Sequence, residues 1–475
     1  MENPKNNTAH FVIRERYLNA IEAFIDQPVV KVLKGMRRVG KSVIMRLLIE
    51  RLIDRGIPAA GILYINKESL AFDAIKDYRD LYRYAVDYFK AGSAATQSTM
   101  FRRAHRDNEG HHDNDNSVIS MEAGTQSLQD VLDAGLRRHD EGVGVSPASK
   151  TYILIDEIQE IEGWERAVAS FLADGLGDVV ISGSNASLLS SELATLISGR
   201  YVEIPVYPLT FHEFLTFRNA PQEKPDKEDR TEAEAETEFK NYLRYGGLPG
   251  IHQMPFNDEV LFSYLNSILN TVLYKDVITR HKIRDASIFD KLIRYLFDNV
   301  GNIATAKKIA DYFKSQRIRT SVDTILNYIS YIEASLLIGK APRYDIKGKR
   351  LLEFSDKVFL NDIGLRHGLI GYRERDINGL LENIVFMELQ ARGYKISIGV
   401  IDQLEIDFIA EKQNEKKYIQ VCYSLGSEAA IEREFGNLEK IKDNYEKMVI
   451  SMDKFFPAER KGIIHRNAID FLLEQ

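Results

Sequence analysis

Gly35-Met36-Arg37-Arg38-Val39-Gly40-Lys41-Ser42 is the stretch that decides the fold of this chain. It matches G-x-x-x-x-G-K-S and lies between the β-branched run Val29 to Leu33 and the helical pattern Val43 to Leu52, the strand, loop and helix order of a phosphate-binding loop. Glycines are needed because the backbone must turn closely around phosphate oxygens with successive N–H groups pointing inward, and the following helix N-terminus adds a favourable dipole. Lys41 is expected to reach the β- and γ-phosphates, and the Ser42 hydroxyl to bind Mg²⁺. Phosphate uses only the backbone of Arg37 and Arg38, so both side chains are expected to be exposed.

Outward from this loop, Ile62 to Ile65, Tyr152 to Ile155, Val179 to Ile181 and Tyr201 to Val206 read as further strands separated by helices. Their near-continuous apolar character predicts a parallel α/β sheet covered on both faces by crossover helices. The third run ends in Asp156-Glu157. A carboxylate at a strand's carboxyl end is placed to hold magnesium through water, which assigns Asp156, and the next acid, Glu157, is the candidate for orienting or deprotonating the attacking water.

The 475 residues predict about three domains. At 44 % hydrophobic and 28 % charged, the chain is excluded from the globally disordered class. A single cysteine, Cys422, rules out a disulfide framework within one chain. No apolar run approaches about 18 residues, and Met1 to His10 is polar, so the expectation is a soluble, cytoplasmic protein without a membrane partner. The net charge of −7 requires any polyanion partner to meet a local basic patch. Such a patch lies between Gly301 and Arg350, where ten bases face four acids, a net of +6.

Two polar tracts punctuate the chain. Residues 91–126, with His111, His112, Asp113, Asn114, Asp115 and Asn116 in succession, are expected to be an inserted loop, and Pro221 to Lys240, with eight acids against four bases, a solvated connector leading into a helix. Tyr242 to Gly250 reads as a turn between helical stretches, and Leu261 to Val277 as one helix. Trp164 and His212 are expected to be packing residues rather than a base-stacking platform and a catalyst. In the basic segment a helix over 303–313 precedes a second helix capped by Ser321, with Val322, Ile325, Leu326 and Ile329 on one face. A basic strand, turn and strand follow over 336–354. That succession is what a winged helix-turn-helix looks like, with Arg319, Thr320 and Thr324 as candidate DNA contacts and Lys347, Lys349 and Arg350 on the wing; the same module also serves protein contacts.

The loop at 35–42, Asp156-Glu157-Ile158-Gln159 followed by Gly163-Trp164-Glu165, Ile181-Ser182-Gly183-Ser184-Asn185 and Ser198-Gly199-Arg200-Tyr201 together resemble AAA-type P-loop ATPases. More narrowly, the chain resembles the prokaryotic ATPases that carry a C-terminal domain of unknown function, from about residue 15 to the end apart from the tract near Arg102. The resemblance implies ATP and Mg²⁺ as ligands and an additional-strand sheet in which the Asp156 strand is separated from the loop's strand by another. It also implies a polar sensor at Ser184 or Asn185. Arg200 would be an arginine acting on a neighbouring subunit's nucleotide, which would make the protein a homo-oligomer, or else a surface ion pair; both readings stay open. The final hundred residues resemble the restriction-endonuclease-like fold at Glu382, Asp407 and the strand Tyr418 to Cys422. An active member needs a second acid and a lysine where this chain has Gln420 and Cys422, so a retained fold without nuclease activity is expected.

The resulting plan is an ATPase domain over 1–215, a helical lid over 216–300, a winged-helix-like part over 301–372 and an inactive nuclease-like domain over 373–475. The expected function is ATP hydrolysis that drives or gates a region binding double-stranded DNA or a protein. The alternatives are a nucleotide-gated interaction module with negligible turnover and, third, an ATP-dependent nuclease.

Overall fold

β1 (Val30–Lys34) has Val30, Val32 and Leu33 wholly buried, although they point to both faces, which requires cover on each side of the sheet. It pairs in parallel with β4 (Asp178–Gly183) and β5 (Tyr201–Pro205), while β2 (Ile62–Asn66) and β3 (Tyr152–Asp156) complete a five-stranded sheet of order β2-β3-β4-β1-β5. β4 therefore separates the Asp156 strand from the strand leading into the loop, as the resemblance implies. Register places Lys34 opposite Gly183 and Asn66 opposite Asp156, so the carboxyl ends of the central strands finish along one edge. The computed structural model describes residues 12–106, 150–186, 196–197, 199–219 and 231–474.

Covering this sheet are α1 (Glu15–Glu22), α2 (Lys41–Asp54), α3 (Tyr78–Arg106) and α4 (Trp164–Ala173). Trp164 is buried in the same apolar cluster as Ile155, Phe171 and Ile181, a packing position. α3 corrects one expectation: the inserted loop predicted from residue 91 is helical to Arg106. Ala91, Ala94, Ala95 and Ala104 are the strongest helix formers, and with Lys90, Arg102 and Arg103 they sustain a helix through a stretch whose polarity alone suggested a loop. The rest of that tract, His111 to Asn116 included, lies outside the described residues.

By contacts the chain divides into Met1–Gly35 with Gly40–Val206 as one unit, and Met36–Val39 with Tyr207–Gln475 as the other. The second unit begins with α5 (Phe211–Asn219), α6 (Glu232–Tyr245) and α7 (Asp258–Thr271). α6 starts inside the acidic tract with a reciprocal capping box between Thr231 and Glu234, the local signal that ends the connector. Gly246 at its C-terminus has φ +75°, and a Cβ there would lie 2.5 Å from an Asp362 carboxylate oxygen, so only glycine fits. The segment 261–277 is helical as expected, α7 running on into a π-helical stretch, Val272–Thr279, in which Asp276 is buried.

α8 (Ala286–Asp298), α9 (Ala306–Ser315) and α10 (Val322–Ala334) follow, and Ser321 caps α10 by accepting from the Thr324 amide, as expected. The buried face of α10 is Ile325, Ile329 and Ile332; Val322 and Leu326, expected on that face, are exposed. An i, i+4, i+7 stripe fills the contact, leaving the flanking positions outside it. β6 (Ile338–Asp345) and β7 (Arg350–Leu360) form the basic hairpin, and α11 (Ile363–Ile370) and α12 (Ile377–Ala391) lead to β8 (Lys395–Ile401), β9 (Leu404–Lys412) and β10 (Glu415–Val421). After α13 (Glu428–Glu439) come β11 (Glu446–Ser451), β12 (Glu459–Arg460), β13 (Ile463–Asn467) and α14 (Ala468–Leu473). The hairpin belongs to the same sheet as the last strands, in the order β12-β13-β11-β10-β9-β8-β6-β7. Among the described residues no helix is long and apolar enough to cross a membrane.

Candidate functional site

The loop 35–42 leaves β1 and enters α2 at Lys41, with Gly40 in left-handed backbone at φ +100° as its N-cap and Arg38 at φ +67°. This curling of the chain is what turns backbone amides toward one point. Lys41 is buried, its Nζ donating to the Gly35 carbonyl at 2.8 Å and lying 3.6 Å from Glu157 Oε1. An ammonium that lies against the loop's own carbonyl and a carboxylate can exchange such partners for phosphate oxygens.

Asp156 ends β3, and its two oxygens accept from Ser182 Oγ on β4 and from the Tyr64 hydroxyl on β2, the latter at 3.3 Å. Burial, and then the charge of Asp156, hold the Tyr64 hydroxyl well above its ordinary pKa, so it remains a donor. Glu157 follows in left-handed backbone at φ +53°, which costs a non-glycine residue about 1–2 kcal/mol. Its Oε2 accepts from Ser184 Oγ at 2.9 Å and from Gln159 Nε2, which also lies 3.3 Å from Ser184 Oγ, and its amide donates to Ser182 Oγ at 3.3 Å. Strain retained in a residue that four neighbours hold is the pattern of a functional position.

Thus Lys41, Asp156, Glu157 and Ser184 are brought together, with Asn185 buried next to Ser184 and Ser42 half-buried one residue into α2. Ser182, Gln159 and Tyr64 were not foreseen as site residues. The first two stand in the runs that carry the resemblance, but nothing in their spacing tells which oxygen they bind. The donor set fits magnesium: a hydroxyl and a carboxylate are hard oxygens, and a metal that keeps several waters and takes phosphate oxygens needs few from the protein. Accordingly, the described residues hold no cluster of three or more acids, histidines or cysteines arranged for a metal ion. Arg200 is exposed immediately before β5.

Arg37 corrects the expectation of exposure. Its guanidinium is buried and pairs with Asp276 of the π-helical stretch, Nε to Oδ2 at 2.6 Å and an Nη to Oδ1 at 3.1 Å, whereas Arg38 is exposed. Two parallel bonds to one carboxylate are the geometry for which arginine is suited and lysine is not.

In the second unit Glu382 on α12, Asp407 on β9 and Gln420 on β10 also converge. The Asp407 amide donates to Gln420 Oε1 at 2.7 Å, the Val421 amide donates to Asp407 Oδ2 at 2.8 Å, and Gln420 Nε2 donates to Glu434 Oε2 at 3.0 Å. Lys357 of β7, unmarked in the sequence reading, donates to Glu382 Oε1 at 2.8 Å. Cys422 is buried, and burial pushes its thiol up to about 12, so it is an inert core residue. Of the basic candidates, Arg319, Lys349 and Arg350 are exposed and Thr320 and Thr324 half-buried, while Lys347 Nζ is paired with Asp402 at 2.7 Å.

Residues 97–215 match the AAA domain family, and residues 236–376 match a domain of unknown function, DUF8612. An uncharacterised protein of Haemophilus influenzae is 34 % identical over 463 residues, covering 98 % of this chain and 99 % of its own. This chain belongs to the same family as the Haemophilus protein. The AAA-domain match takes in the Asp156-Glu157 pair, and the loop at 35–42 precedes the matched residues. An uncharacterised protein of Methanocaldococcus jannaschii is 30 % identical over 306 residues, covering 63 % of this chain and 67 % of its own. Among solved structures the Walker-type ATPase of Pyrococcus abyssi is similar at 16 % identity and a TM-score of 0.46, covering 78 % of this chain and 98 % of that one.

Proposed function

We propose that the first unit binds and hydrolyses ATP with Mg²⁺. The observation that carries this reading is the convergence of Lys41, Asp156 and Glu157 at the carboxyl ends of β1 and β3, with Ser184 of the following loop on the Glu157 carboxylate. Ser42 and Asp156 would hold the metal, which when bound neutralises phosphate charge and fixes the phosphate oxygens. The amides of residues 35–42 and Lys41 bind the β- and γ-phosphates. Glu157, aimed by Ser184 and Gln159, takes a proton from water as the water oxygen bonds to the γ-phosphorus in line with the departing bridging oxygen; the β–γ bond breaks, releasing ADP and phosphate. Asn185, buried beside Ser184, would sense the γ-phosphate, and Arg200, exposed, would act on a neighbouring copy's nucleotide, a role that would require a homo-oligomer.

The second unit is the effector in this reading: a lid over 216–300, a winged-helix-like part over 301–372 and a nuclease-like domain over 373–475 without nuclease activity. Exposed Arg319, Lys349 and Arg350 in a segment of net +6 support double-stranded DNA as its partner, with Thr320 and Thr324 beside them. Binding of a fluorescent ATP analogue tests the nucleotide site. Wild type should bind with Mg²⁺, and Lys41→Ala should weaken binding at least tenfold; equal affinities would remove the assignment. Retention of duplex DNA that weakens steeply between 50 and 200 mM salt, and further in the Arg319→Ala/Arg350→Ala double variant, tests the partner.

A further inference from the structure

Phosphate draws on the backbone of the loop and not on the side chains of residues 36–39, so a buried arginine there calls for another reason. The Arg37 side chain is 8 % exposed and that of Asp276, 239 positions later, 1 % exposed. Their contact is bidentate, Nε to Oδ2 at 2.6 Å and Nη2 to Oδ1 at 3.1 Å, which fixes the direction of the guanidinium as well as its distance. Asp276 stands in the π-helical stretch Val272–Thr279, where it is buried together with Val272, Leu273 and Val277. Such stretches are rare and recur at functional positions. Met36–Val39 group by contacts with the second unit, whereas Gly35 and Gly40 on either side of them belong to the first. Within the second unit, Asp276 thus fastens the four residues that lie between the two loop glycines.

We propose that Asp276 is a positioning residue of the phosphate loop, which it holds through Arg37, and that nucleotide binding and the π-helical stretch are linked by this pair. The proposal rests on the reading of the loop as a nucleotide site. Arg38, next to the anchor, has left-handed backbone at φ +67°, and Gly40 follows at φ +100°. A non-glycine residue keeps such backbone only where its surroundings over-determine it, so the turn that aims the loop amides needs a hold beyond its own chain. Arg37 supplies that hold one residue before the turn. Arg280, four residues after Asp276, lies 3.9 Å from Asp276 Oδ1, too far to share the fork. The bidentate seat therefore belongs to the loop arginine. By reciprocity, nucleotide that steadies the loop steadies the stretch by the same free energy, and releasing the stretch weakens nucleotide to the same extent.

Full-length Arg37→Met/Asp276→Leu tests this, because it removes both charges together and leaves neither buried without its partner. Its affinity for a fluorescent ATP analogue with Mg²⁺ should be about tenfold weaker than that of wild type, within the usual range of coupling between two sites. Wild-type affinity in the folded double variant overturns the proposal, since the pair would then serve stability alone. Amide hydrogen exchange gives a readout that a merely structural pair would not move. Saturating analogue with Mg²⁺ should slow exchange over residues 272–279 in wild type and leave it unchanged in the double variant; unchanged exchange in nucleotide-bound wild type overturns the linkage. Lys41→Ala separates this proposal from the reading beneath it. If Lys41→Ala loses binding and the double variant does not, only the positioning role falls; if Lys41→Ala binds as wild type does, both fall. Should the double variant not fold, Arg37→Lys keeps the charge and loses the fork, and wild-type affinity there is the contradicting result.

Discussion

Ser182 shows how a single hydroxyl can set two adjacent acids of the proposed phosphate site. It donates to Asp156 and accepts from the Glu157 amide, so it fixes the direction of the first acid and the strained backbone of the second. Ser182→Ala should lower kcat about 10- to 100-fold and raise the Mg²⁺ requirement while leaving nucleotide affinity nearly intact, the usual cost of losing a partner that orients a metal-binding group. A Mg²⁺ titration of steady-state turnover checks this. Arg37 makes a second residue-scale case. Removing one partner of its buried pair should destabilise the protein by about 3–5 kcal/mol, whereas Arg37→Met/Asp276→Leu together should cost far less, which urea unfolding of the single and double variants measures. Lys41, Ser42, Asp156 and Glu157 were legible because phosphate chemistry fixes their types and spacing in the chain. Lys357 was not, because its partners come from elements 25 to 50 residues away and the sequence pattern directed attention to Cys422 instead.

At the scale of the element, caps were readable and faces less so. Ser321 and the Thr231/Glu234 box announce their helices through local hydrogen bonds, but the exposure of Val322 and Leu326 depends on what α10 packs against, which periodicity does not specify. α11 carries two buried titratable groups of opposite sense. Asp362 caps it, accepting from the Gly247 amide at 2.8 Å and the Leu365 amide at 3.1 Å, and burial pushes its carboxyl up to about 6 despite those bonds. His367, with Nδ1 at 2.8 Å from the Arg244 carbonyl, is lowered by burial to about 4. The folded state holds the Asp362 proton more tightly than the unfolded chain does, so its contribution to stability is complete below pH ~4 and is lost as pH rises through 6. For His367 the sign reverses: its contribution is present above pH ~6.5 and is lost as pH falls through 4. Relative to wild type, stability of Asp362→Asn should rise more steeply between pH 4 and 6.5, and that of His367→Gln should fall across pH 4 to 6. Urea unfolding across this range checks both; pH profiles parallel to wild type would contradict the burial argument.

At the scale of the whole molecule, a net charge of −7 coexists with a segment of +6, so the protein can be acidic overall and still carry a local basic surface. Trp164, the only tryptophan, sits in the core of the first unit, so its fluorescence follows the unfolding of that unit alone. With two contact units, unfolding followed by fluorescence and by far-ultraviolet circular dichroism should give non-coincident transitions, and Mg²⁺ with ATP should shift the fluorescence transition by mass action. The α/β class and the five strands of the first sheet followed from apolar runs of fixed length, and the position of the Asp156 strand from the resemblance to AAA-type ATPases. That the basic hairpin joins the last strands in one sheet did not, because strand partners distant in sequence leave no local trace. The central claim is that Glu157 activates water at a Mg²⁺–ATP site, and single-turnover phosphate release at saturating enzyme tests it most directly. Glu157→Gln should bind ATP as tightly as wild type and release phosphate at least a hundredfold more slowly; release at the wild-type rate would contradict the account.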